Sequence, residues 1–184
     1  LMIKKIIFLL FFFFLSTKLY ANISNQQQLN IFFDQLKEIK NVYDGDVLEK
    51  KIWEIWNKHP TDNLLTEKLE FATMLMYEGE YNFSLQVFTN VINSDPKWSE
   101  AWNKRATLLY FMNDFGNSLD DIDKVLKLEP RHFGALSGRA QIYIKQKEYK
   151  KAVKDLKKVK KIYPLSRGSK LIPELEKLIK GLDI

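Results

Sequence analysis

The 184-residue chain contains no cysteine. That excludes disulfide staples, thiolate metal ligands and a cysteine-borne lipid anchor. Histidine occurs only twice, at His59 and His132. The pair is too far apart for a His-Glu-x-x-His metal motif. Glycine and proline number 7 and 5, and no glycine-rich phosphate loop is present. Long hydrophobic runs are also missing, with one short exception at Ile6–Leu15. Ten residues rise about 15 Å as a helix, half of a hydrocarbon core of about 30 Å.

That exception has an order of its own. Lys4 and Lys5 precede it, and a more polar run ending in Leu19-Tyr20-Ala21 follows. A basic start, a short apolar stretch and a small residue describe a secretory signal. The order predicts cleavage after Ala21, giving segment 1–21 as a signal and a periplasmic or secreted mature protein. Removing Lys4, Lys5 and Lys18 from 29 basic residues leaves 26 against 23 acidic ones. The formal excess falls from +6 to +3, too modest to argue for nucleic acid. The full chain is 46% hydrophobic and 14% aromatic, a globular, helix-prone composition.

The positive signal is a period. Pro96, Pro130 and Pro164 close the phrases "VINSDP", "VLKLEP" and "VKKIYP" at intervals of 34 and 34. Rows starting at Leu65, Ser99 and Phe133 then agree column by column. Position 8 is Ala72, Ala106 and Ala140. Position 17 is Tyr81, Phe115 and Tyr149. Position 20 is Ser84, Ser118 and Ala152. Position 24 is Phe88, Ile122 and Leu156, and position 27 is Val91, Val125 and Val159. Small residues at 8 and 20 allow two helices to approach, and large apolar columns fill the space between neighbouring units.

These columns resemble the tetratricopeptide repeat family, with Trp102 matching its aromatic position 4 and Tyr143 its position 11. The departures are Val for Ala at 27, Ser for Ala at 20 twice, and Lys68 and Leu136 at 4. The resemblance implies an all-α, right-handed solenoid of helix hairpins: repeats at 65–98, 99–132 and 133–166. The flanks carry helical patterns too. "NQQQLNIFFDQLKEIK" places Leu29, Phe32, Phe33, Leu36 and Ile39 at helical spacing. A second helix carries Val47, Leu48, Ile52, Ile55 and Trp56, with Asp44-Gly45 expected to separate the two. Segment 22–62 is therefore expected to form a degenerate repeat or N-terminal cap. Segment 167–184 is expected to form a C-terminal capping helix with Leu171, Leu175, Leu178 and Ile179 on one side. About nine helices result. Taken whole, the chain is similar to small secreted tetratricopeptide proteins of alphaproteobacteria.

Some residues invite a chemical reading. "LEPRHFGALSGRAQIY", residues 128–143, gathers His132, Ser137, two arginines and two glycines. A catalytic triad also needs an orienting acid, an oxyanion site and a pocket, and the sequence assembles none of them. In register, the stretch is the joint between the second and third repeats. Arg131, His132, Ser137 and Gln141 keep only a claim to binding a ligand. Neither a cofactor nor a metal is implied, and the expected function is non-enzymatic. Arg105 and Arg139 both stand at position 7, sixteen residues before Asp121 and Asp155 at position 23. The first row has Phe71 and Val87 there. Charged goes with charged and apolar with apolar, so positions 7 and 23 are expected to touch across each hairpin, pairing Arg105 with Asp121 and Arg139 with Asp155.

The resemblance further implies a concave groove lined by positions 2, 5, 9, 12 and 13. In the first row these are Thr66, Leu69, Thr73, Met76 and Tyr77. In the second they are Glu100, Asn103, Thr107, Tyr110 and Phe111. In the third they are Gly134, Ser137, Gln141, Ile144 and Lys145. Aromatics mixed with amides and hydroxyls suit a peptide or protein partner. The groove does not repeat the Lys and Asn of a two-carboxylate clamp. An alternative role is a structural subunit of an envelope assembly. It would dock through the lysines of the third repeat, including Lys150, Lys151, Lys154, Lys157, Lys158, Lys160 and Lys161, on an acidic protein or an anionic membrane surface.

Overall fold

A computed structural model describes residues 23–181. The signal segment expected at 1–21 lies outside the described residues. Among the described residues nine α-helices follow one another: α1 (Asn25–Lys37), α2 (Val42–Trp56), α3 (Asn63–Tyr77), α4 (Tyr81–Ser94), α5 (Ser99–Phe111), α6 (Phe115–Leu128), α7 (Phe133–Lys145), α8 (Tyr149–Ile162) and α9 (Ile172–Gly181). A 3₁₀ turn at Gly168–Leu171 precedes α9. No strand occurs among the described residues.

Helices α3/α4, α5/α6 and α7/α8 form three hairpins stacked as an α-solenoid. The small columns explain how each hairpin closes. Ala72, Ala106 and Ala140 are buried against Ser84, Ser118 and Ala152. The two serines that replace alanine at position 20 have a use: Ser84 Oγ donates to the Ala72 carbonyl and Ser118 Oγ to the Ala106 carbonyl, both at 2.7 Å. A hydroxyl is thus buried with its hydrogen bond made. Phe88, Ile122 and Leu156, with Val91, Val125 and Val159, fill the layers between helices. At position 15 the first helix of each hairpin ends in a left-handed residue: Gly79 (φ 86°), Asn113 (φ 59°) and Lys147 (φ 61°).

The N-terminal hairpin departs from expectation in two ways. First, Asp44-Gly45 does not separate its helices. The break falls at 38–41, and Asn41 caps α2 by accepting the Asp44 N–H at 2.9 Å. Asp44 sits in the first turn, where the helix dipole favours a carboxylate. Gly45 lies inside α2 with Tyr163 packed on it, and a Cβ there would lie 2.8 Å from Tyr163 Oη.

Second, the hairpin is not a repeat stacked ahead of the first one. It lies lengthwise across the turns that join the repeats. One core cluster unites Leu29, Phe33, Leu36, Leu48, Ile52 and Trp56 with Phe133, Leu136, Val159 and Tyr163 of the third repeat. At its C-terminal end α2 meets the turn between repeats one and two, where Trp98 Nε1 donates to the Trp56 carbonyl at 2.9 Å. At its N-terminal end Asp46 reaches Arg167, 3.5 Å away, beyond the third repeat. Arg131, in the middle turn, donates Nη1 to Asn30 at 2.7 Å and lies 4.3 Å over the Phe33 ring. The turns offer large apolar targets, and each buried aromatic or Leu contributes roughly 1.5–3 kcal/mol.

The C-terminal cap also shifts its face. Ile172 and Leu175 are the buried residues of α9, with Ile179 packed beside them, whereas Leu171 and Leu178 are exposed. The 3₁₀ turn holds Leu171 outside the α-helix. The buried stripe therefore starts one residue later than the apolar spacing suggests.

Candidate functional site

Helix α2 determines which groove positions remain accessible. Its Trp53 stands over the starts of α5 and α7. A Cβ on Gly134 would lie 2.6 Å from the Trp53 ring, so only glycine allows that approach. Beneath it, His132 is fully buried and stacked on Trp56, with ring centroids 4.0 Å apart at 9°. His132 Nδ1 accepts the Ala135 N–H at 3.0 Å, which caps α7 and places the ring proton on Nε2. Nε2 then donates to Glu100 Oε2 at 3.0 Å. His59 is wired alike: Nδ1 accepts the Asp62 N–H and Nε2 donates to Asp95 Oδ2, both at 2.9 Å. Each histidine is a structural joint with both nitrogens engaged, and neither bonds to Ser137.

This burial corrects several groove assignments. Glu100 has no exposed surface; its carboxylate also receives Asn103 Nδ2 and lies 3.4 Å from Lys104 Nζ. Thr66, Leu69 and Met76 are buried as well, Thr66 Oγ1 accepting the His59 N–H. Asn103 is nearly covered. Arg131 and His132 are spent on Glu129, Asn30 and Glu100 rather than free for a ligand. The N-terminal halves of the concave helices face α2, the 57–62 link or the core instead of solvent, and Met76, near the end of α3, is buried in a core cluster with Leu69, Ala72 and Phe88.

Apart from Met76, the groove positions of the C-terminal halves stay open. Tyr77, Phe111, Gln141 and Lys145 are exposed, and Thr73, Thr107, Tyr110 and Ser137 are half-buried. The hydroxyls of Thr73 and Thr107 bond back to the Leu69 and Asn103 carbonyls. Lys145 Nζ lies 4.9 Å over the Tyr110 ring. A cleft of about 290 Å³ brings together Asn103, Thr107, Tyr110, Phe111, Ser137 and Gln141, with Trp53 as one wall. Thr73 and Tyr77 stand apart from it on the first repeat. On the other side of Trp53, a shallower hollow of about 540 Å³ runs past Glu49, Lys50, Ser137, Tyr163 and Arg167. Ser166 Oγ is buried at its edge without a protein partner. Burial, together with Glu49 and Asp46 nearby, pushes the Tyr163 phenol up to about 12. Sequence reasoning missed Trp53. Its one signal was Gly134, a glycine at a helical position where a side chain would normally be favoured.

The two arginines act between repeats as well as within them. Arg105 donates Nε and Nη2 to Asp121 at 2.7 and 2.8 Å, and Nη1 to Thr89 of the preceding repeat at 3.2 Å. Arg139 does the same with Asp155 at 2.7 and 3.0 Å, and with Asp123 of the preceding repeat at 2.7 Å. Burial alone would lower the Arg139 pKa, but the bonds and charge of Asp155 leave it raised. On α8, Lys151, Lys157 and Lys158 pair with Glu148, Glu176 and Asp155. Lys150, Lys154, Lys160 and Lys161 are exposed with no ion pair among the described residues.

Comparison with known proteins agrees with this architecture. The tetratricopeptide repeat family model matches residues 99–132 and 134–164. No curated protein sequence matches. Among solved structures, the first tetratricopeptide domain of Spaghetti (RPAP3), bound to the HSP90 peptide SRMEEVD, superposes with a TM-score of 0.60 at 16% identity, covering 63% of this chain and 93% of its own. The Sgt2 domain from Aspergillus fumigatus gives 0.61 at 14%, covering 66% and 83%. A repeat protein from Parabacteroides merdae gives 0.59 at 20%, covering 84% and 61%. With the hairpins, the spacing of 34 and these likenesses in hand, residues 99–132 and 134–164 are tetratricopeptide repeats, set in a solenoid of that family's fold.

Proposed function

We propose that the chain is an exported, non-enzymatic scaffold that binds a peptide segment of a partner protein in the cleft between Trp53 and repeats two and three. The observation that carries this reading is the cleft itself. An apolar wall of Trp53, Tyr110 and Phe111 faces the amide of Gln141 and the hydroxyl of Ser137. Aromatics supply contact area at low entropic cost, and amides bond a peptide backbone. The solved relative bound to an HSP90 peptide supports the choice of a peptide by shared fold. The test is selection of binding peptides from a displayed random library. Peptides that bind the wild type and lose at least tenfold in affinity to Tyr110→Ala/Gln141→Ala support the cleft. Undiminished binding to that variant overturns it. Export is tested by fractionation: mature protein lacking 1–21 outside the cytoplasm is expected.

A second reading rests on the unpaired lysines of α8. There the protein is an envelope subunit docking on an acidic surface, and Lys154→Glu/Lys161→Glu abolishes attachment while the cleft variant does not.

A further inference from the structure

The lysines of α8 do not all lie on an open face. A further hollow, of about 500 Å³, opens where the start of α2 meets the end of α8 and the 3₁₀ turn before α9. That is the size of a small-molecule site. Its apolar lining is Val42, Pro164, Leu165, Ile172 and Pro173. Lys157 and Lys160 of α8 line it together with Lys170 of the 3₁₀ turn. The one acid is Glu176, which Lys157 Nζ meets at 2.7 Å. That bond and the Lys157 charge, with further charge from Lys180 and Lys160, hold the Glu176 carboxyl below its usual range. Lys160 and Lys170 have no ion pair among the described residues. Ser166 also lines the hollow; it is buried, and its Oγ has no protein partner among the described residues. A buried hydroxyl is ordinarily bonded.

We infer that this hollow binds the phosphate head of a single-chain amphiphile, with the alkyl tail against its apolar lining. Three lysines against one glutamate leave two positive charges in excess. The unpaired ammoniums of Lys160 and Lys170 and the unbonded Ser166 hydroxyl supply donors for a head with three terminal oxygens. Val42, Leu165 and Ile172 give a hydrocarbon tail a surface to leave water for. A peptide finds less here. No Asn or Gln side chain lines the hollow, and two of its five apolar residues are prolines, which have no N–H to bond a backbone. The Trp53 cleft offers Asn103 and Gln141 for that purpose and shares no lining residue with this hollow. Lys154 and Lys161, on which docking to an acidic surface would rest, do not line it either.

The test is isothermal titration of the purified chain with octyl phosphate below its micelle concentration. Inorganic phosphate, octyl glucoside and a pentaglutamate peptide are titrated beside it, as head alone, tail alone and acidic chain. Octyl phosphate is expected to fill one site and to bind at least about tenfold more tightly than each of the three. Lys160→Glu/Lys170→Glu, at two exposed positions, should weaken it at least about tenfold with an unchanged far-UV circular dichroism spectrum. Val42→Asp, exposed in the first turn of α2, should weaken it from the apolar side. Lys150→Glu/Lys154→Glu makes the same change of charge on α8 outside the hollow and should bind like wild type. So should the cleft variant Tyr110→Ala/Gln141→Ala, which separates this site from the peptide cleft. A wild type that does not bind octyl phosphate overturns the inference. Equal affinity for any of the three comparison ligands does so too, as does an equal loss in both lysine pairs or a loss in the cleft variant.

Discussion

His132 lies flat against Trp56, 4.0 Å away, while its Nε2 holds the buried Glu100 carboxylate. One residue of the N-terminal hairpin is thus packed on the residue that joins repeats two and three. Trp56→Ala removes the ring that also touches Phe33, Trp53 and Phe133. It should cost about 3–5 kcal/mol in denaturant unfolding. Limited proteolysis should then cut the 57–62 link well before global unfolding. Equal resistance of variant and wild type would show that the hairpin is held elsewhere.

Arg139 and Asp155 should couple. Each alanine substitution alone leaves the other charge partly buried and is expected to cost about 2–4 kcal/mol, and the double variant less than their sum. The coupling from a double-mutant cycle should exceed about 1 kcal/mol. The same cycle on Arg139 and Asp123 should give less, because Asp123 is mostly exposed.

Lys147 holds a left-handed backbone that glycine occupies at the equivalent turn, Gly79. A side chain there costs about 1 kcal/mol. Lys147→Gly is therefore expected to raise the unfolding midpoint, whereas the same change at Lys150, inside α8, should lower it by a similar amount.

Tyr163 gives a pH signature. Its phenol ionises near 10 when unfolded and at about 12 in the folded chain. Its contribution is fully present below pH 10 and is lost as pH rises from about 10 to about 12, because the unfolded state releases the proton first. Tyr163→Phe should flatten that part of the stability profile relative to wild type. An unchanged slope would place the phenol in water.

The repeats were legible because three rows spaced by 34 average out local noise, and the arginine pairs because two rows changed together. The path of the N-terminal hairpin was not. Leu29, Phe33 and Leu36 announce a buried face but not its partner, and the same stripe would suit the end of repeat one or the turns. Every groove error at the start of α5 follows from that. Glu100 reads as a solvent-facing carboxylate until α2 is laid over it. Leu171 misled for a local reason, since it closes a 3₁₀ turn and stands outside α9, whereas Leu178 is exposed because α9 buries the side that carries Ile172, Leu175 and Ile179.

A chain of stacked hairpins ordinarily owes its order to nearest neighbours, so it can fray from either end and form from any point. Here helix α2 ties residue 46 to residue 167 and residue 56 to residue 98. Helices α1 and α2 are completed only by the third repeat, far later in the chain. Folding must close a loop of more than a hundred residues, a slow, non-local step for a protein whose hairpins are individually fast. In return, amide exchange should find the three repeats opening together rather than in sequence.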